Sequence, residues 1–436
     1  MTDMGKNKQV KQNKRRSPIT VFLVTLSLVL GVGLSFMLIY SKLADRETIS
    51  SGLASEEKDV KAEDSDNMLS MWERIPEETK GEQAEEAAEE KDKGRYNDIL
   101  ADPEYMAANH IYEKSNKTDG IVTIGFVGDI LFDDEYAIMA SLLSRGKSLE
   151  NAISEPLLAK MQDVDIMMVN NEFPYTDRGT PTEGKTYTFR ADPSTVSYLE
   201  DMGADIVSLA NNHIYDFGEV GFLDTLNTLE EQGMPYVGAG RNLEEASSPV
   251  YFISGDMKIA FVAATQIERL DNPDTKGATE NSAGVFRCWN PQRLYEVVAK
   301  AKEDSDFVIV YIHWGTENVS EPDWAQLEQA PKLAEAGADL IIGDHPHCLQ
   351  GIQYFGDVPV IYSLGNFLFN SRTLDSCMVQ VDISLQGIES FRFIPAIQKD
   401  CRTDFAYGEE KDRIISYMNS ISYGVNIDPE GIVTSR

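Results

Sequence analysis

An α/β architecture is predicted from about residue 120 onward, on three observations. Short β-rich apolar runs recur there, segments with helical spacing separate several of them, and polar residues of metal-ligating type fall where the runs end. The runs are 121–127, 164–169, 205–209, 258–264, 307–312, 339–342 and 358–362. They are nearly continuous in apolar residues, which suits largely buried strands. Segments 217–232, 291–303 and 324–336 space their apolar residues as helices do. Residues 378–385 and 389–397 flank Gln386-Gly387 and predict an antiparallel hairpin. A last amphipathic helix is expected near 412–421, within a C-terminal segment of 401–436.

The N-terminal region has a different texture. Residues 1–17 carry Lys6, Lys8, Lys11, Lys14, Arg15 and Arg16 against one acid, Asp3, and 18–40 are uncharged and apolar. As a helix, that stretch would extend ~35 Å, enough to cross a hydrocarbon core of ~30 Å. The basic flank places the N-terminus inside and everything after residue 41 outside the membrane. A cleaved signal peptide is the alternative, but its apolar region would be unusually long and no clear small-x-small cleavage site follows Tyr40. Residues 41–119 are acidic and poor in spaced apolar residues, which predicts a largely disordered stalk reaching roughly 45–50 Å.

The chain has 72 acidic and 39 basic residues, a formal charge of −33. Such a surface repels phosphate backbones and argues against nucleic-acid binding. Four cysteines, Cys288, Cys348, Cys377 and Cys401, are too few and scattered for a disulfide scaffold or a cysteine-rich zinc module.

Chemistry concentrates in the histidines. Of five, four sit in Asn-Asn-His at 211–213, His-Trp at 313–314 and His-Pro-His at 345–347. Asp129 follows the first apolar run, Glu172 the second, and Asn212 with His213 the third. His313 ends the run at 307–312, and His345 and His347 follow 339–342. Five strand ends delivering such residues to one edge is the expected address of an α/β site. Each residue alone has an ordinary reading. Gly-Asp at 128–129 is also a turn, Asn170 and Asn171 can bond loop backbone, and a lone His313 can be a satisfied core residue. Asp216 can orient His213, cap the following helix, or do both, since a carboxylate has two oxygens to share. Pro346 is expected to hold His345 in an extended approach, so that His345 and His347 serve different ions. Mixed imidazole, amide and carboxylate donors suit Zn²⁺, Mn²⁺ or Fe, as one or two ions. Such ions acidify a bound water and offset charge building on phosphoryl oxygens, while His213 is placed to protonate a leaving group.

Six blocks carry a family resemblance: Val-Gly-Asp-Ile-Leu at 127–131, Asn-Asn-Glu at 170–172 and Ala-Asn-Asn-His-Ile-Tyr-Asp-Phe-Gly at 210–218, then Ile-His-Trp-Gly-Thr-Glu at 312–317, Gly-Asp-His-Pro-His at 343–347 and Tyr-Ser-Leu-Gly-Asn-Phe at 362–367. Spread in order over 120–400, they resemble the CapA/PgsA family of capsule and poly-γ-glutamate synthesis proteins, related to calcineurin-like metallophosphatases. The resemblance implies a four-layer αββα sandwich. It implies Asp129, Glu172, Asn212, His313, His345 and His347 as metal ligands, with Glu172 bridging, and His213 as the proton donor, to which the residue reading adds Asp216 as its catalytic partner. Leu131 stands where the phosphatase pattern has a histidine, so one metal position loses a ligand. The implied role is polymer synthesis or export beside membrane-embedded synthase subunits, on an anionic polymer or a phosphoester. A free-standing cell-envelope metallophosphoesterase and an inert polymer-binding module are the alternatives. An anionic polymer needs a cation or basic patch to offset the acidic surface. Arg178, Lys185 and Arg190 are candidates for that patch, or simply a solvated loop.

Overall fold

The computed structural model describes residues 94–267 and 275–436. The expected membrane span at 18–40 and its basic flank lie outside the described residues. Among the described residues, no helix is long and apolar enough to cross a membrane.

All seven apolar runs are strands: Val122–Ile130, Ile166–Asn171, Ile206–Ser208, Met257–Thr265, Phe307–His313, Leu340–Asp344 and Val358–Leu364. The three helical segments form Gly218–Gln232, Gln292–Asp304 and Trp324–Ala336. Local chemistry sets the bounds of the last. Asp323 and Gln326 close a reciprocal capping box at its start, and Gly337 ends it in the left-handed conformation at φ 113°.

The strands form a mixed α/β fold of two large sheets. In the seven-stranded sheet, Met257–Thr265, Phe307–His313, Leu340–Asp344 and Val358–Leu364 run parallel at the centre. In the eight-stranded sheet, Val122–Ile130, Ile166–Asn171 and Ile206–Ser208 run parallel. The expected hairpin, Leu374–Ser384 with Gly387–Lys399, extends that sheet antiparallel from Val122–Ile130.

Continuous apolar runs are explained by burial on both faces. Ile309 and Tyr311 point into a cluster shared with Ile124, Phe126 and Met168 of the other sheet. Their neighbours Val308 and Val310 point outward to Leu294, Val298 and Leu333 on helices. The other sheet likewise packs Val127 and Val169 under Leu157, Phe222 and Leu226. Each fully buried side chain of this size contributes roughly 1.5–3 kcal/mol.

Residues 94–119, which composition assigns to the stalk, are folded instead. Ile111–Glu113 pairs in parallel with Val250–Ser254, Ile111 is buried, and Tyr96 Oη donates to Asp306 Oδ2 at 2.6 Å. Acidic composition hid this because the strand needs only a few apolar contacts to dock on an existing edge. The C-terminal helix is Gly408–Ile421, and Ile414, Ile415 and Met418 bury it in the inter-sheet cluster.

Two glycines let the functional edge close. A Cβ on Gly128 would sit 1.8 Å from the Gly365 carbonyl oxygen, and one on Gly343 would sit 2.1 Å from that of Tyr362. Only glycine allows backbones to approach so nearly. The first contact seats Asp129 beside the strand Asn366–Leu368, with Asn366 and Asp129 as register partners.

Candidate metal centre

Parallel strands that start on one edge must end on the other. The two sheets therefore bring their carboxyl ends, and the residues just past them, to a common rim. Asp129, Glu172, Asn212, His313, His345 and His347 meet there. Asp129, Glu172 and His313 are fully buried.

The donors divide into two groups that share Glu172. Ligand atoms of Glu172, His313 and His345 all lie within 4.8 Å of one another, and so do those of Asp129, Glu172 and His347. In the first group His313 Nε2 is 2.8 Å from Asn212 Oδ1, 3.1 Å from His345 Nδ1 and 3.6 Å from Glu172 Oε1. In the second, His347 Nδ1 is 3.0 Å from Asp129 Oδ2 and 2.9 Å from Asn366 Oδ1. His345 and His347 thus face different halves, as expected, but not through an extended loop. Both have positive φ, 101° and 56°, a conformation costly for non-glycine residues. Bonds from the segment after His313 hold the loop against the bias that Pro346 imposes: Asn318 N donates to the Pro346 carbonyl at 2.8 Å, and Trp314 N to that of Asp344 at 3.0 Å.

Electrostatics separates the carboxyls. Burial pushes Asp129 up, but the hydrogen bond and charge of His347 outweigh it and bring its carboxyl to about 2. Burial, reinforced by the charge of Asp129, drives Glu172 well above the usual carboxylate range, and Asp344 likewise. Burial also pushes His313 down to about 3 and His345 well below its ordinary value. His347 moves the other way, since its bond to Asp129 outweighs its own burial. Both Glu172 carboxylate oxygens are buried without a hydrogen-bond donor, as is Oδ1 of the preceding Asn171. A buried carboxylate left so costs several kcal/mol unless a cation meets it. Two clusters of imidazole, amide and carboxylate around that orphan fit divalent metal, with no thiolate in the set.

His213 stands beside the centre. Its Nδ1 is 2.7 Å from Asp216 Oδ2, and its Nε2 is 3.9 Å from Glu172 Oε1. Burial lowers its pKa against the opposing pull of Asp216, and Lys185 lowers it further. Asp216 orients the imidazole and does not cap the helix Gly218–Gln232, whose N-cap Phe217 makes no side-chain bond. Asp216 Oδ2 also accepts from Phe189 N at 2.8 Å. Phe189 lies against His213 with ring centroids 4.2 Å apart, and Phe369 against His347 at 4.8 Å.

The basic-patch candidates resolve otherwise. Lys185 is neither patch nor solvated loop: its side chain is 5% exposed and ion-paired to Asp216. Arg178 pairs with Asp224, and Arg190 lies 4.7 Å over the Phe217 ring. Asn170 donates to Asp129 Oδ1 at 2.7 Å, whereas Asn171 does bond loop backbone, at Phe173 O. Leu131 is buried in an apolar cluster and offers no ligand atom. Cys348 is half-buried, its thiol pushed up to about 11 by burial, and among the described residues no cysteine forms a disulfide.

Two contributors escaped the sequence, Asp344 and Asn366, and Lys185 was marked only as a patch candidate. Asp344 is buried and accepts from Tyr311 Oη at 2.7 Å. Asn366 follows the apolar run at 358–362, the same strand-end signal that marked the other residues.

Residues 123–371 match the family model described as bacterial capsule synthesis protein PGA_cap. The PGA biosynthesis protein CapA of Bacillus subtilis is 30% identical over 286 residues, covering 64% of this chain and 72% of that protein. The capsule biosynthesis protein CapA of Bacillus anthracis is 32% identical, covering 53% of this chain and 57% of its own. A probable polyglutamine synthesis accessory protein of Mycobacterium tuberculosis is 28% identical, and the chain spans 55% of it. With more than half of its residues inside the family model, the chain belongs to the bacterial capsule synthesis protein PGA_cap family.

Proposed function

We propose that this chain is an accessory protein of capsule or poly-γ-glutamate biosynthesis. In this reading segment 18–40 anchors it, the folded region faces outward beside membrane-embedded synthase subunits, and a two-ion centre acts on a phosphoester-type bond. The family membership and the names of its relatives support the pathway. The observation that carries the chemistry is Glu172, whose two oxygens lack partners between two separate sets of nitrogen and oxygen donors.

Asn212, Glu172, His313 and His345 would hold one ion, and Asp129, Glu172, His347 and Asn366 the other. Divalent ions there supply positive charge against that building on phosphoryl oxygens and acidify water. The chain's own groups do the rest. Asp216 fixes the His213 ring so that Nε2 faces the centre, the atom from which a proton reaches a leaving oxygen. Phe189 and Phe369 keep water from the two stacked imidazoles. Asn366 supplies an oxygen in the half where Leu131 supplies none.

Metal analysis of the purified chain, with hydrolysis of aryl phosphomonoesters and phosphodiesters, tests this reading. Bound divalent metal and turnover lost in both Asp129→Asn and His345→Ala support it. A metal-free, inert native protein overturns it in favour of a polymer-binding module.

A further inference from the structure

The acid excess repels anionic ligands, and the basic residues nearest the metal centre are already engaged: Lys185 with Asp216, Arg178 with Asp224 and Arg190 over Phe217. A separate cationic cluster is not. Lys160 on the helix Glu155–Gln162, Arg392 on the strand Gly387–Lys399 and Lys411 on the helix Gly408–Ile421 line one cavity of about 370 Å³. All three are half-buried. Among the described residues, Lys160 and Lys411 enter no ion pair or side-chain hydrogen bond, and Arg392 donates only to the Glu430 backbone carbonyl, at 3.2 Å. The single acidic side chain on the lining is Glu430, which is exposed, so three cations face one carboxylate. Phe405 and Tyr407 add an apolar wall, and Tyr407 is 63% exposed. No residue of the metal centre lines the cavity.

We propose that this cavity binds a flexible chain bearing carboxylates on methylene spacers, a glutamyl polymer of the γ-linked kind. The ligand class rests on the capsule reading above; the site itself does not. Unpaired cations in a strongly acidic protein keep a local positive potential that selects anions. Two of the three are lysines, point charges that tolerate a mobile carboxylate, whereas phosphate recognition favours arginine forks. Methylene groups between the carboxylates match the aromatic wall, and lysine stems can cover the same apolar surface. The cavity gives the protein a polymer grip independent of the metal centre.

The test is binding of a fluorescein-labelled γ-linked glutamate oligomer to the full-length chain at low and physiological salt. Wild type should bind, with affinity falling as salt rises. Lys160→Gln, Arg392→Gln and Lys411→Gln together should weaken binding at least about tenfold and flatten the salt dependence. Lys411→Gln alone should cost about threefold, and it serves if the triple variant does not fold. Chelator-treated wild type should bind the oligomer as the untreated protein does, so failure of the metal reading shows separately. Absent binding by wild type, or a folded triple variant within twofold of it, overturns the proposal. So does binding that appears only after Glu85, Glu86, Glu89 and Glu90 are changed to Gln, because the cavity's occupant is then the chain's own acidic segment. Tenfold tighter binding of polyphosphate overturns the ligand class.

Discussion

His345 Nδ1 and His313 Nε2 face each other at 3.1 Å, and both rings are buried and held neutral by burial. Asn212 Oδ1 and Glu172 Oε1 converge on the same His313 nitrogen, at 2.8 and 3.6 Å. Two imidazole nitrogens and two side-chain oxygens converging this closely suit a cation better than a hydrogen-bond network. His345→Ala is therefore expected to lower metal affinity about 100-fold or more in a chelator competition. The metal-free fold should change by no more than about 1 kcal/mol. Large destabilisation with unchanged metal affinity would instead mark the pair as structural.

Asn366 is expected to govern the other half. It is the register partner of Asp129, and its Oδ1 and Asp129 Oδ2 both approach His347 Nδ1. Asn366→Ala should reduce bound metal from two ions to one per chain by elemental analysis, while Asn366→Asp retains two. Two ions in both variants would show that the amide is only a neighbour.

Glu172 sets a pH dependence. Its carboxyl lies well above the ordinary value, through burial and the charge of Asp129. A raised carboxyl contributes stability below its unfolded pKa of about 4.3, and that contribution is lost as pH climbs through the folded value. His313 and His345 act oppositely, since their lowered values contribute above about 6.5 and lose it as pH falls. The difference between wild type and Glu172→Gln isolates the carboxyl. Without metal, Glu172→Gln should melt roughly 2 °C or more above wild type at pH 8, converge with it near pH 4, and bind no shared pair of ions. Parallel melting profiles across that range would remove Glu172 as an orphaned acid.

Lys185 has a structural and an electrostatic role. Its ammonium pairs with the fully buried Asp216, and it depresses His213. Lys185→Met should cost about 3 kcal/mol, because it strands a buried carboxylate. It should also raise the His213 pKa, read from its imidazole NMR resonances in the metal-free protein. An unchanged resonance would place the cation outside the field of His213.

Much of the strand framework was legible because both faces of each central strand are buried. Val308 through Ile312 pack alternately toward the other sheet and toward helices, so the run reads as uninterrupted. The site was legible for a topological reason, since parallel strands deliver the residues after them to one rim. The buried pairing of Lys185 was not, because its partner lies 31 residues away and nothing local reports burial. Asp344 stands in the block at 343–347, where the two histidines drew the chemistry and nothing local marked the carboxylate. Asn366 reaches Asp129 only through the Gly128–Gly365 contact, a tertiary event. The segment 94–119 was misread because composition averages over a short strand that docks by a few contacts.

Anomalous diffraction from metal-loaded crystals addresses the shared centre most directly. Two peaks are expected, one against Glu172, His313 and His345 and the other against Asp129, Glu172 and His347, with the Glu172 carboxylate touching both. A map without peaks at that rim, with Glu172 bonded instead to protein donors, would contradict it.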